Sequence, residues 1–441
     1  MAKMLLLIAL LVSASYSVFS QNPIVPAGMY IADPSARVWN DGKVYVYGSL
    51  DESPDYYCSH RHYVLSSSDM VHWDVAKDAF ASKGKNDRVP YSDSVLYAPD
   101  CQYKDGKYYL YFTLASPENT EGVAVSSSPE GPFIDARPID LAGINEIDPS
   151  VFIDDDGQAY YIWGQFTVKM AKLMPNMLEI DKSSIQDNIL TEKEHFFHEG
   201  GFLTKRNGIY YFVYAHMGRA GRPTSIGYAT GSSPMGPFTY RGVLVDNDHS
   251  DPSVWNNHGS IVEFKNQWYV FYHRSTHNSV TTRRTCVEPI FFNSDGSINE
   301  VEMTTQGASG PMDPFMRMDA ERACLLYGNV RVVNPRPGEE ILSGIRSEDK
   351  AAYKYFNFEK PAQSFTVSVA PGAKPGKIDI CLDNPWSASI GTVDIPGGGD
   401  GITYTSLSCK VNKPEGVRAV WLRFSGEGDD LFDVDWFTFK K

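Results

Sequence analysis

Hydrophobic and polar residues fall along most of this chain in short runs that suit half-buried strands, and each run follows a two-residue turn. Asp41-Gly42 precedes Val44 to Tyr47, Asp105-Gly106 precedes Tyr108 to Phe112, and Asp156-Gly157 precedes Ala159 to Trp163. Asn207-Gly208 precedes Ile209 to Tyr214, and Lys265-Asn266 precedes Trp268 to His273. Asp-Gly and Asn-Gly supply the positive φ angles of a tight hairpin, and the Tyr, Phe, Val and Trp beyond them fit a pleated surface. The units recur at intervals of 51 to 64 residues, the size of one four-stranded propeller blade. A second repeat, Ser66-Ser67-Ser68, Ser126-Ser127-Ser128 and Ser232-Ser233 with an aromatic a few residues on, marks outer-strand turns in units one, two and four. Units three and five lack a clean copy.

The pattern changes near Gly307. Residues 309–321 read as a linker rich in Gly and Pro, and residues 322–441 as short alternating strands around Phe365, Ile378, Ile390, Val420 and Phe437. The expected fold is all-β: a five-bladed β-propeller over 21–308, then a β-sandwich of jelly-roll type, with almost no helix. Residues 1–20, with Lys3, an apolar run from Met4 to Val12 and small residues before Gln21, read as a secretory signal peptide. The protein is therefore expected to be exported, periplasmic or extracellular. That apolar run falls short of the roughly 20 residues of a membrane span, so no membrane insertion is expected.

The chain has 441 residues and a formal net charge of −14. It shows no basic run or basic aromatic patch, which argues against nucleic acid and anionic membranes as partners. Six cysteines make an even count. In an exported chain that permits disulfides, with Cys381 and Cys409 the favoured pair and Cys101 and Cys286 read as buried thiols.

Nine residues before Gly42, Gly157 and Gly208 stand Asp33, Asp148 and Glu199. In a propeller the innermost strands converge on one axis, so three acids in register become a cluster. Asp100, six before Gly106, and His258, eight before Asn266, fall near the same place. Hydrolysis of a glycosidic bond needs one protonated and one ionised carboxyl group. A third nearby acid can hold a proton on the first, because neighbouring like charges resist joint ionisation.

These residues also resemble glycoside hydrolase family 43. The resemblance runs through Ala32-Asp33-Pro34-Ser35, Ala98-Pro99-Asp100, Ile147-Asp148-Pro149-Ser150, Glu199-Gly200-Gly201 and His258-Gly259-Ser260. It implies an inverting hydrolase with Asp33 as general base, Glu199 as general acid and Asp148 as the residue that tunes and orients the acid. It further implies substrate contacts from Asp100, His258 and either Arg283 or Arg284. No cofactor is required for chemistry, although His258 would border a structural Ca²⁺ on the axis. Residues Lys377 to Asp383, Ile390-Gly391-Thr392 and Leu431 to Phe437 resemble a family 6 carbohydrate-binding module. That module usually carries a loop Trp, missing here from Gly397 to Asp400, and an Asn where Asp433 stands, leaving Trp386 and Tyr404 as stacking candidates. The expected partner is an oligo- or polysaccharide. The expected activity is an exo-acting α-L-arabinofuranosidase or β-xylosidase on plant cell-wall side chains. A galactofuranosidase or galactosidase, or a non-catalytic glycan-binding propeller, is the alternative. Retention of all three acids favours an enzyme.

Overall fold

The computed structural model describes residues 21–115, 120–219 and 221–441. The expected signal peptide lies outside the described residues. Five antiparallel sheets follow one another along the chain, each a meander in which strands pair in sequence order. The first contains Ile31–Val38, Val44–Leu50, Arg61–Ser67 and Asp74–Ala81. The second contains Asp100–Lys104, Lys107–Leu114, Thr120–Ser126 and Ile134–Pro138. The third has Ser150–Ile153, Ala159–Trp163 and Lys169–Lys172. The fourth has Phe197–Arg206, Ile209–His216, Ser225–Gly231 and Phe238–Asp246. The fifth has Gly259–Phe264, Gln267–Thr276 and Ser279–Ile290.

The expected turns link the first and second strands of every sheet. Asp105-Gly106, Asn207-Gly208 and Lys265-Asn266 hold two successive positive φ angles, as a twist-matched hairpin requires. The two sheets with three strands are those of the units that lack the Ser-Ser repeat. Bridges such as Met170 to Gln186 and Leu173 to Ile180 cover the outer edge of the third sheet. The N-terminal segment covers the fifth: Ile24 N–H donates to Thr285 O at 2.9 Å, and Asn22 Nδ2 donates to Val287 O at 3.0 Å. Both devices satisfy backbone groups that an open edge would leave unpaired.

Apolar faces meet between neighbouring sheets. Tyr47, Phe80, Phe112 and Phe133 fill the space between the first and second, and Tyr111, Tyr161 and Trp163 that between the second and third. Phe152, Phe212 and Phe238 join the third to the fourth, and Tyr211, Val270 and Tyr272 the fourth to the fifth. Val46 and Leu65 of the first sheet pack with Phe271 and Val287 of the fifth. At roughly 25 cal/mol per Å² of buried apolar surface, each such side chain contributes about 2 to 3 kcal/mol before entropy is counted.

Beyond Met318 two further sheets face each other. One orders Leu325–Tyr327, Lys350–Phe358, Gly416–Gly426, Gly376–Leu382 and Gly391–Ile395. The other is built on Phe432–Lys440, flanked by Ser364–Pro371, with Phe356, Phe365, Phe437 and Phe439 between the two layers. Arg284 Nη1 donates to Glu340 Oε2 at 2.6 Å across the junction with the first five sheets, both side chains being buried. Gly28 N–H donates to the other oxygen of Glu340 at 2.8 Å. All six cysteines are free thiols, so the expected Cys381 to Cys409 disulfide is not formed. These two residues stand on strands of different layers. Among the described residues, no helix is long and apolar enough to cross a membrane.

Candidate active site

Asp33, Asp148, Glu199 and His258 converge on one cavity of about 380 Å³ at the starts of the first strands. The backbone is irregular at each acid. The first strand breaks register between Ala32 and Ser35, and Asp33 takes φ 54°. Asp148 takes φ 62° just before its strand, and the fourth sheet breaks register between Glu199 and Phe202, with Gly200 at φ 66°. Such kinks re-aim a side chain that a regular ladder would point into a sheet interface.

Burial alone would push the Asp33 carboxyl up, but the Arg283 charge, with help from His273 and His258, holds it well below the usual carboxylate range. Arg283 Nη1 donates to Asp33 Oδ1 at 2.8 Å. Its Nε and Nη2 fork onto Asp51 at 3.0 and 2.9 Å, and its guanidinium lies over the Tyr57 ring at 4.8 Å. Asp33 is therefore ionised and fixed. The Asp33 backbone N–H donates to His273 Nδ1 at 3.2 Å, and the other ring nitrogen faces Asn256 Oδ1 at 3.1 Å.

Asp148 has the opposite environment. Burial first, then the charges of Glu199 and Asp33, push its carboxyl well above the usual range. Its Oδ2 lies 3.8 Å from His258 Nδ1, which also stands 3.7 Å from Asp33 Oδ1. Burial lowers the pKa of His258, so the ring tends to the neutral form. Glu199 Oε2 accepts from Gln165 Nε2 at 2.8 Å. One acid is locked as an anion, one is biased toward its neutral form, and a third is held by an amide.

The expected contacts divide. Arg283 lines the cavity and Arg284 does not; Arg284 points the other way from the same strand, to Glu340 and to Val25 O at 2.9 Å. Asp100 does not line the cavity either. It accepts from the Ser35 hydroxyl, from Arg37 Nε and Nη2 at 3.1 and 2.6 Å, and from Val151 N at 2.8 Å. It is buried and ties three sheets together, so the structure gives it a supporting place and not a substrate contact. The nine-residue count that finds the three acids lands, from Gly106, on Tyr97, and Tyr97 does line the cavity. Sequence reading missed Tyr57, Gln165, His198 and Trp255 on the cavity wall. Trp255 is 47% exposed there, an open face for a sugar ring.

The surroundings of His258 do not make a direct calcium cage. Calcium takes six to eight oxygen ligands, whereas one face of this ring lies against Gly200 and its Nδ1 meets carboxylates at 3.7 Å or more. Among the described residues, no group of three or more His, Cys, Asp and Glu side chains is arranged to hold a metal. In the C-terminal sandwich Trp386 is 80% exposed, whereas Tyr404 is partly covered and Asp433 half-buried.

The sequence matches the model for glycosyl hydrolases family 43 over residues 20–298 and that for carbohydrate binding module family 6 over 326–441. It is 30% identical to an arabinoxylan arabinofuranohydrolase of Bacillus subtilis, covering 95% of this chain and 92% of that protein. It is 32% identical to a xylosidase/arabinosidase of Bacteroides ovatus, covering 63% of this chain and 97% of that one. A crystal structure of a Bacillus subtilis arabinoxylan arabinofuranohydrolase in complex with cellotetraose superposes with TM-score 0.56 at 28% identity, covering 96% of this chain and 99% of that one. A calcium-free β-xylosidase/α-arabinofuranosidase from a compost metagenome, in complex with xylotriose, gives TM-score 0.56 at 32% identity over 64% of this chain and 97% of that one.

Proposed function

The chain belongs to glycosyl hydrolases family 43, and from that premise we propose an exo-acting, inverting α-L-arabinofuranosidase or β-xylosidase. The observation that carries the roles is the contrast among three carboxyl groups in one cavity. Asp33, kept ionised by Arg283, is the general base that takes a proton from water. A carboxylate held so low is a weak base, but the water grows acidic as its oxygen bonds the anomeric carbon, so the proton is taken late. Glu199 is the acid that protonates the leaving oxygen, and Asp148, whose own carboxyl burial and the Glu199 charge push up, is the neighbour whose charge opposes ionisation of the acid. The reaction needs no cofactor.

A pocket of this size, with acids at its floor and Trp255 and Tyr57 on its wall, suits one terminal or branching sugar of a plant cell-wall polysaccharide. The five sheets with five shared cores support the reading of a five-bladed propeller over 21–308. Residues 322–441 form the module, which serves first as a brace through Arg284 and Glu340. The protein is exported, residues 1–20 being its leader. The test is Glu199→Gln on arabinofuranosides and xylosides of graded leaving-group acidity. Turnover of poor leaving groups falls by about 10² to 10⁴ while activated aryl glycosides fall far less, and proton NMR shows the inverted anomer first. Equal loss on all substrates would remove Glu199 from the acid role.

A further inference from the structure

Glu199 has two oxygens, and only one of them can deliver a proton in a given pose. Oε2 accepts the Gln165 amide at 2.8 Å and lies 3.9 Å from His198 Nε2. Gln165 is in turn fixed from behind. Its backbone N–H donates to Glu146 Oε2 at 2.6 Å, and Glu146 Oε1 accepts from Lys169 Nζ at 2.6 Å. The Lys169 side chain is 5% exposed and also donates to Thr167 Oγ1 at 3.0 Å. The bend that brings Gln165 round depends on Gly164 at φ 131°, where a Cβ would sit 2.2 Å from Thr167 O. A buried lysine, a carboxylate and a glycine bend thus hold one amide against one catalytic oxygen.

We propose that Gln165 is a positioning residue for the acid. By donating to Oε2 it assigns the acid's proton to Oε1 and stabilises the carboxylate that forms, with Glu146 and Lys169 holding it in place. As the glycosidic bond breaks, its electron pair stays on the leaving oxygen, which takes the proton from Oε1. The negative charge left on Glu199 spreads to Oε2, where the Gln165 N–H meets it. This donor is therefore worth more in the transition state than before it. The inference rests on Glu199 being the acid.

Gln165→Met keeps the length of the side chain and removes the donor. Glu199 also faces Asp148, His198, His258, Tyr57 and Tyr97, none of which the substitution changes. The expected kcat loss is about 10- to 100-fold on poor leaving groups and clearly smaller on a nitrophenyl glycoside, with KM little altered. Because the lost donor favoured the ionised acid, the alkaline limb of the rate profile moves to higher pH. Glu146→Gln, which loosens Gln165 without touching the pocket, shows the same split to a lesser degree. Turnover of the nitrophenyl glycoside reports that each variant is folded. Equal fractional loss on both substrate types, or a limb that stays put or moves down, overturns the inference while Glu199→Gln still shows its split. If Glu199→Gln shows none, the acid assignment and this inference fall together.

Discussion

At the scale of single residues, the site works through unequal treatment of equal groups. Asp33 and Asp148 are both aspartates in Asp-Pro-Ser, yet Arg283 meets one and buried carboxyl neighbours meet the other. Loss of one carboxyl from the Asp148 and Glu199 pair removes the charge that opposes the second ionisation. Asp148→Asn is therefore expected to shift the alkaline limb of the rate profile to lower pH, on the order of one unit. An unmoved limb in that profile would leave Asp148 with no electrostatic part. Sequence alone places these acids because their distance from the turn is constant. It misplaces Asp100 because that residue stands three positions further along its strand than the register requires, where Arg37 and Ser35 wait for it. Gln165 and Trp255 carry no such count, lying in loops whose course depends on tertiary packing.

At the scale of strands, residues two beyond the cavity lock neighbouring sheets together. Ser150 Oγ donates to Gly201 O, and Ser260 Oγ donates to Pro34 O at 2.8 Å. The irregular backbone above this layer is set with little slack. A Cβ on Gly200 would come within 2.8 Å of His258 Nε2, at a φ that side chains rarely adopt. Gly200→Ala is expected to lose about 1 to 3 kcal/mol of stability and most activity, since His258 must move off Asp33 and Asp148. Thermal melting and kcat on one aryl glycoside decide this, and wild-type values for both would refute it. Turn residues made the hairpins legible from sequence. The strand Thr405–Lys410 was not legible, because it pairs only with Ser364–Pro371 at an edge and its side chains are mostly uncovered.

At the scale of the whole molecule, one strand, Ser279–Ile290, serves two bodies. Arg283 points into the cavity and Arg284 into the junction with the sandwich, where Glu340 neutralises it away from water. Glu340→Ala leaves a buried guanidinium unpaired and is expected to cost about 3 to 5 kcal/mol, read as a fall in the denaturation midpoint. Replacing both partners, Arg284→Met with Glu340→Leu, is expected to recover much of that loss. A single variant within about 0.5 kcal/mol of wild type would show that the junction does not depend on the pair.

The first described residues bind the last of the five sheets. Asn22 reaches Val287, Glu288 and Thr304 across 265 to 282 positions of chain. During synthesis these residues leave the ribosome long before the fifth sheet and have no native partner until it has emerged. The earlier hairpins can form as they appear, whereas joining the two ends must overcome the loop-closure entropy of the chain that makes up all five sheets. A nascent chain halted before Ser279 would carry its first segment, and the edge of Gln267–Thr276 that Ser279–Ile290 covers, as exposed strands, the form in which chains of this kind are open to mispairing with one another.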